Sequence, residues 1–345
     1  MSTFFRMAWQ NVSDLYCLTC GCMYGKIQPQ DRLIKGEAMD CCSQRIDADK
    51  IEISYLVYGG RACNKLGVIY NDKNYVLKFP GNLKNKNLKN VVLSYSNSPV
   101  CEYIGSHIFQ MLGIKAHQTL LAERNGKIVV LCEDFTQPDV ILQEFCDIKT
   151  TFEPAFLDAD GNLTNGDGAK LSEILLVLEH HPFYQKVNDA IPKFWEMFIV
   201  DAFIGNQDRN NGNWGLLYDR GKKMHSVAPI YDNGNCLNDK WDDEKMKKFL
   251  ENASDMENIA WKAYTCYQLG DNGKRLNAFQ VIESARYTEC TDALCRILHR
   301  IDMDAVTAFI ESVCELSDVQ KRFYKEILLC RYQHLLRIMQ NITRS

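Results

Sequence analysis

The chain has 345 residues, with 40 Lys and Arg against 44 Asp and Glu, for a net charge of −4. Apolar residues make up 46% and charged residues 24%, with only 8 prolines and 20 glycines. This balance excludes a disordered, collagen-like or mucin-like chain, and the slight acidity leaves no basic footprint for direct nucleic-acid binding. No apolar run reaches the roughly 18 residues of a membrane-spanning helix, and the N-terminus lacks a continuous apolar core, so a cytoplasmic protein is expected. The 15 cysteines are odd in number and scattered, which predicts reduced thiols.

Residues 1–48 stand apart as a cysteine-containing extension. Cys17, Cys20, Cys22, Cys41 and Cys42 offer thiolates for zinc, but adjacent cysteines make awkward ligands, so ordinary thiols are expected. From 49 to 137 the signals are β. IEISYLVYG (51–59) alternates as a strand does. LGVIY and NYVLKF predict a hairpin turning over Asn71–Asn74, and QTLLAERNGKIVVLCEDF predicts another turning at Asn125–Gly126. CEYIGSHIFQMLGI, between them, predicts a helix stopped by Gly113. The Lys- and Asn-rich run over 82–90 reads as a solvated loop. From 138 to 345 the pattern turns helical, most clearly over 171–180, 191–205 and 318–342, the last opened by a Ser317/Gln320 capping box. Trp195, Phe198 and Phe203 read as core, and His180–His181 as a surface helix end. The expectation is an α+β, bilobal chain with a small β-rich N-lobe, a larger helical C-lobe and a ligand cleft between them.

The chemistry concentrates in IGNQDRNNGNWGLLYDRGKKMHSVAPIYDNGN (204–235). Phosphoryl transfer asks three things of side chains: a carboxylate for the proton of the attacking hydroxyl, hard oxygen ligands for magnesium, and a cation on the phosphates. Asp208, with Asn213 five residues on, has the D-x-x-x-x-N spacing of a kinase catalytic loop. Gly212 supports the tight turn between them. Asp232, after an apolar hairpin, takes the place of a metal-binding Asp and is followed by Asn233–Gly234. Lys78 supplies the cation. It lies in an apolar strand where an unpaired ammonium is costly, and Glu102 at the next helix start is its expected partner. Upstream, YGGRACNKLGV (58–68) is a candidate phosphate-covering loop, with Gly59, Gly60, Gly67 and Lys65. The backbone from Cys132 through Glu133 to Asp134 is the candidate interlobe hinge for adenine.

This set resembles the HipA-like serine/threonine kinases, and most of all their short, CtkA-type members. It comprises a glycine–lysine loop before a strand Lys, Glu102–Tyr103 at a helix start, N-x-D-x-x-x-x-N at 206–213 and P-x-Y-D at 229–232. The resemblance spans about residues 50 to 340. It implies a protein-kinase-like fold, ATP and Mg2+ as cofactors, and a protein substrate with a Ser or Thr acceptor. By it, Asp208 is the catalytic base, Asn213 and Asp232 hold magnesium, and Lys78 meets the α and β phosphates. Lys65 and Gly60 belong to the phosphate loop, and Asn206 fills the family's Asn before the catalytic Asp. Three departures stand out. Asn210 replaces a usual His. The loop over 58–68 lacks the Ser through which some members are silenced. The first 48 residues are unlike the family's N-terminal subdomain, which bears on a HipB-like antitoxin partner. The loop also resembles D-R-H-x-x-N of phosphatidylinositol kinases, so a lipid or small-molecule kinase of the same fold is the runner-up. A nucleotide-binding toxin-partner module without catalysis is the third reading.

Overall fold

The computed structural model describes residues 45–59, 65–83, 95–152, 156–157, 161, 163–270 and 273–344. All lie in one compact unit, Cys42–Ser345. Gly60, the basic run beyond Leu83 and the five N-terminal cysteines fall outside these residues.

The first half holds β1 (Ile46–Asp47), β2 (Glu52–Ile53), β3 (Lys65–Tyr70), β4 (Lys73–Lys78), α1 (Ser98–Met111), β5 (Thr119–Arg124), β6 (Lys127–Glu133), β7 (Val140–Glu144) and α2 (Phe145–Thr150). Then come α3 (Leu171–His180), α4 (Ala190–Ile204), β8 (Gly215–Asp219), β9 (Met224–Val227), α5 (Asp243–Leu250) and α6 (Ala253–Trp261). The chain ends with β10 (Tyr264–Gln268), β11 (Arg275–Asn277), α7 (Ala278–Glu283), α8 (Thr288–Arg300), α9 (Met303–Ser312) and α10 (Asp318–Arg344).

Six strands form the small-lobe sheet in the order β1-β5-β6-β4-β3-β2, with β1 parallel to β5 and the other pairs antiparallel. Val68, Leu77, Val129 and Leu131, all fully buried, are the heart of its core. Tyr70 pairs with Lys73, so the predicted four-residue turn tightens to Asn71–Asp72, both at positive φ (49° and 60°). That is the twist-matched hairpin geometry that Asn and Asp tolerate.

The strand expected over 51–59 forms only at Glu52–Ile53. Beyond it Ser54 N–H donates to Gly67 O at 2.9 Å, and the Tyr58 hydroxyl donates to Asp134 Oδ2 at 2.8 Å. The Ser54 bond keeps the β2–β3 register for one more residue, after which the chain leaves the ladder and passes over Gly67. Gly67 permits this approach, because a Cβ there would fall 2.4 Å from Ser54 Oγ and 2.7 Å from Leu56 O.

The apolar hairpin expected before Asp232 forms as β8–β9. β7 joins it in an antiparallel sheet, and β10 pairs with β11; these last three strands are hidden by the helical pattern of this half. Runs this short carry too little periodicity to separate strand from helix. α4 is apolar nearly all round and sits in the main core, with Trp195, Phe198 and Phe203 at most 2% exposed. The capping box of α10 forms as expected: Gln320 N–H donates to Ser317 Oγ (3.1 Å) and Ser317 N–H to Gln320 Oε1 (3.0 Å). α1 shares the large core through Val100, Ile104, Ile108 and Phe109. The helix also packs against β5 and β6, so the element that carries Glu102 bridges the small-lobe sheet and the large core.

Two expectations fail here. His180 is exposed, but His181 is buried, with Nε2 3.1 Å from Thr151 Oγ1 and Nδ1 accepting from Phe183 N–H. The helix stops at His180 and the chain turns inward. Eight described cysteines are free, but Cys314 is disulfide-bonded, so reduced thiols do not hold throughout.

Candidate active site

The β3–β4 ladder places Lys65 directly opposite Lys78. Along β4, Tyr75 and Leu77 point into the small core, so the strand's period of two turns Lys78 to the other face, toward the cleft. There Lys78 Nζ lies 3.0 Å from Glu102 Oε2 and 2.8 Å from Asp232 Oδ1. Glu102 is 1% exposed and fully engaged. Its Oε1 meets His117 Nε2 and accepts from Asn233 N–H, both at 2.9 Å, and its Oε2 also accepts from Gly234 N–H at 3.1 Å.

Electrostatics follow from this packing. Burial works against the Lys78 ammonium, but the Asp232 and Glu102 carboxylates outweigh it and hold Lys78 well above the ordinary lysine range. Burial would likewise favour a neutral Glu102, yet Lys78 and the His117 hydrogen bond keep it well below the usual carboxylate range. The pair is ionised at neutral pH.

The second half of the site begins where α4 ends. Gly205 takes φ 69° and its N–H closes onto Asp201 O. A Cβ at Gly205 would fall 2.3–2.5 Å from the guanidinium of the buried Arg331, so both the turn and the close approach require glycine. Asn206 Nδ2 then donates to Asp201 Oδ1 at 3.1 Å, and Arg209 grips the same carboxylate twice, Nε to Oδ2 at 2.9 Å and Nη2 to Oδ1 at 3.0 Å. Arg209 also donates to Asn213 O (3.0 Å), Tyr231 O and Asn233 Oδ1. One buried guanidinium thus ties α4, the 206–213 loop and the 231–233 segment together, in the fork geometry peculiar to arginine.

Asp208 emerges from this frame partly exposed. Its Oδ1 accepts from Asn210 Nδ2 (3.2 Å) and its Oδ2 from Asn235 Nδ2 (3.0 Å). Asn213 Nδ2 donates to Asp208 O at 2.7 Å. Asp232 adopts φ 60°, a left-handed conformation that Asp tolerates better than most residues. Gly212 is not in that region; its N–H bonds Asn210 Oδ1 at 2.9 Å instead.

A cleft of about 620 Å³ brings Lys78, Glu102, Asp208 and Asp232 onto one lining. Asn213, Lys65, Gly59, Glu133 and Asp134 do not line it. Lys65 Nζ bonds Gly59 O at 3.1 Å, and a Cβ at Gly59 would meet nothing within 4 Å. At the candidate hinge the backbone amides are already used: Glu133 N–H donates to Gln118 O (2.8 Å) and Asp134 N–H to Asn74 O (2.9 Å). The Glu133 carboxylate accepts from Lys73, and Asp134 accepts from Tyr58, Thr136 N–H and Thr136 Oγ1.

Two contributors escaped sequence reasoning. His117, 5% exposed, braces Glu102 and lies 3.0 Å from Ser106 Oγ, yet nothing in its local pattern reveals a partner 15 residues away. Arg209 stands next to Asp208 in the chain, and that adjacency was the only signal for its clamp on Asp201.

Asp239, beside Asp208 on the cleft wall, is raised to about 6 by burial, against the pull of Lys240. A carboxyl whose folded value exceeds its unfolded 3.8 stabilises the protonated fold, and that contribution is lost as pH rises through 6. Asp239→Asn should therefore raise stability at pH 8 by on the order of 1–3 kcal/mol, with the gain shrinking toward pH 4. Urea unfolding at the two pH values checks this, and an equal effect at both contradicts it.

No family model matches the chain. The serine/threonine-protein kinase CtkA of Helicobacter pylori is 34% identical over 272 residues, covering 79% of this chain and 80% of that protein. The crystal structure of the Helicobacter pylori proinflammatory kinase CtkA superimposes with a TM-score of 0.76 at 31% identity, over 88% of this chain and 99% of that one. The HipA toxin of Shewanella oneidensis, solved with HipB and operator DNA, aligns over 84% of this chain and 67% of its own at 14% identity. Its TM-score of 0.45 is too low to support a partner or a function. On the identity and coverage shared with CtkA, this chain belongs to the CtkA-type serine/threonine protein kinases.

Proposed function

We propose that the chain transfers the γ-phosphoryl group of ATP, with Mg2+, to a Ser or Thr hydroxyl of a protein, in the cleft between the 49–137 and 138–345 halves. The observation that carries this reading is the Lys78 ammonium held between Glu102 and Asp232 on the same cleft wall as Asp208. Asp208 accepts the hydroxyl proton at a carboxylate oxygen, oriented by the amides of Asn210 and Asn235. Lys78 contacts the phosphates, and Glu102, itself braced by His117, fixes where its ammonium points.

The residues present fit a hard divalent cation. Asp232 offers a carboxylate that is 32% exposed, and Asn213 spends its Nδ2 on Asp208 O, which leaves its amide oxygen as the ligand. Bound there, magnesium would neutralise charge on the phosphates. Lys65, opposite Lys78, and the backbone at Gly59 and Gly60 belong to the phosphate-covering loop. With the amides of Glu133 and Asp134 already spent, adenine meets this stretch through carbonyls or through the next free amide. ATP as donor fits a cytoplasmic site of action. Among the described residues no helix is long and apolar enough to cross a membrane.

The chain incubated with labelled ATP should phosphorylate protein acceptors, and chelation of Mg2+ should abolish incorporation while leaving thermal unfolding within a degree or two. Incorporation that persists in excess chelator, or that goes only into phosphoinositides, contradicts this reading.

A further inference from the structure

We propose that the acceptor beside Asp208 is a protein segment with acidic residues flanking its Ser or Thr, recognised by Lys262 and Arg275. The inference rests on the kinase reading above. The cleft that holds Lys78, Asp208 and Asp232 continues along Lys240, Lys262, Tyr264 and Arg275 on the helical lobe. None of residues 131–136 lines it. This wall is thus separate from the stretch offered to adenine, and the second substrate is assigned to it.

Charge along this wall is unevenly satisfied. Lys78 is matched by Glu102 and Asp232, and Lys240 by Asp239 at 3.7 Å and Asn235 Oδ1 at 3.1 Å. Lys262 and Arg275 line the same cleft, are exposed, and have no carboxylate at ion-pair distance among the described residues. Their backbones are held. Lys262 is the C-cap of α6, with its N–H on Ile259 O, and Arg275 opens β11 in register with Gln268. Two anchored cations on long stems thus face the path of the acceptor, with the ring of Tyr264 between them in sequence.

A hydroxyl that reaches Asp208 carries its neighbours past this pair. Glu or Asp in those neighbours supplies the two missing counter-charges, and Lys or Arg adds like-charge repulsion, so the same pair selects and rejects. Each exposed pair is worth up to about 5-fold and the two multiply to at most about 25-fold, so about 10-fold over a basic competitor is expected.

The test uses the full chain with Mg2+ and ATP on a positional library of Ser/Thr peptides with varied flanks. The wild type should enrich Asp and Glu by about 10-fold over Lys and Arg, less at high salt. The double variant Lys262→Glu/Arg275→Glu should invert the preference, and Lys262→Gln/Arg275→Gln should flatten it. A flat or basic preference in the wild type, an acidic preference unchanged in both variants, or incorporation into phosphoinositide vesicles in place of peptides overturns the proposal. Calorimetric titration of the wild type with Mg-ATP separates the two levels. A chain that binds no nucleotide refutes the kinase reading, whereas one that binds and phosphorylates without acidic selection refutes only the acceptor inference.

Discussion

Asp208→Asn should lower phosphoryl transfer by about 100- to 10,000-fold, the range for removal of a general base, with nucleotide affinity and unfolding midpoint nearly unchanged. The fold survives because the frame around Asp208 does not use its carboxylate. The clamp runs from Arg209 to Asp201, Asn213 O, Tyr231 O and Asn233, and the link from Asn213 Nδ2 reaches the backbone oxygen of residue 208. Only the amides of Asn210 and Asn235 lose an ideal acceptor, and both sites are at least partly open to water. Initial rates with labelled ATP, alongside urea unfolding, check both halves of this expectation. Transfer within tenfold of wild type removes Asp208 from the reaction.

Lys78→Met should cost on the order of 3–5 kcal/mol of stability at neutral pH, as well as abolishing transfer, because it strands a buried carboxylate. Glu102 is 1% exposed and keeps its charge through Lys78 and His117. The sign with pH is fixed by the direction of its shift. A carboxyl held below its unfolded value contributes stability above that value, and the contribution is lost on acidification. Without Lys78 that contribution disappears and Glu102 titrates more easily, so the deficit of Lys78→Met should be largest near pH 7.5 and shrink toward pH 5. Lys78→Met/Glu102→Gln should recover part of the loss at pH 7.5, since the amide leaves no charge uncompensated. A deficit that is flat with pH, and not relieved in the double variant, would show that the ion pair is not the reason for the cost.

What the sequence revealed and what it hid divide along physical lines. A hairpin turn within Asn71–Asn74, the turn at Asn125–Gly126, the stop at Gly113 and the capping box at Ser317 are local devices, set by φ preference and by hydrogen bonds three residues apart, and they are legible, although the first turn is two residues tighter than its polar run suggests. The Lys78–Glu102 pairing was legible too, because an ammonium in an apolar strand demands a partner. The bend after Ile53 was not, since it follows from the close approach permitted at Gly67 in a neighbouring strand. His181 reads as half of a surface pair, and only its packing against Thr151, Phe152 and Tyr184 buries it. The brace of His117 on Glu102 and the reach of Arg209 across to Asn233 depend on tertiary contacts that no spacing rule encodes. Gly212 looked necessary for backbone freedom, but the residue that needs it is Gly205, whose missing Cβ makes room for Arg331.

In the proposed reaction Lys78, Asp208, Asn213 and Asp232 act on one metal-bound triphosphate. A crystal structure of the full chain with Mg2+ and a non-hydrolysable ATP analogue addresses it most directly. The cation is expected on the carboxylate of Asp232 and the amide oxygen of Asn213, the Lys78 ammonium on the phosphates, and Asp208 facing the terminal phosphate as a non-ligand. A nucleotide seated elsewhere, or a cation that engages neither Asp232 nor Asn213, contradicts it.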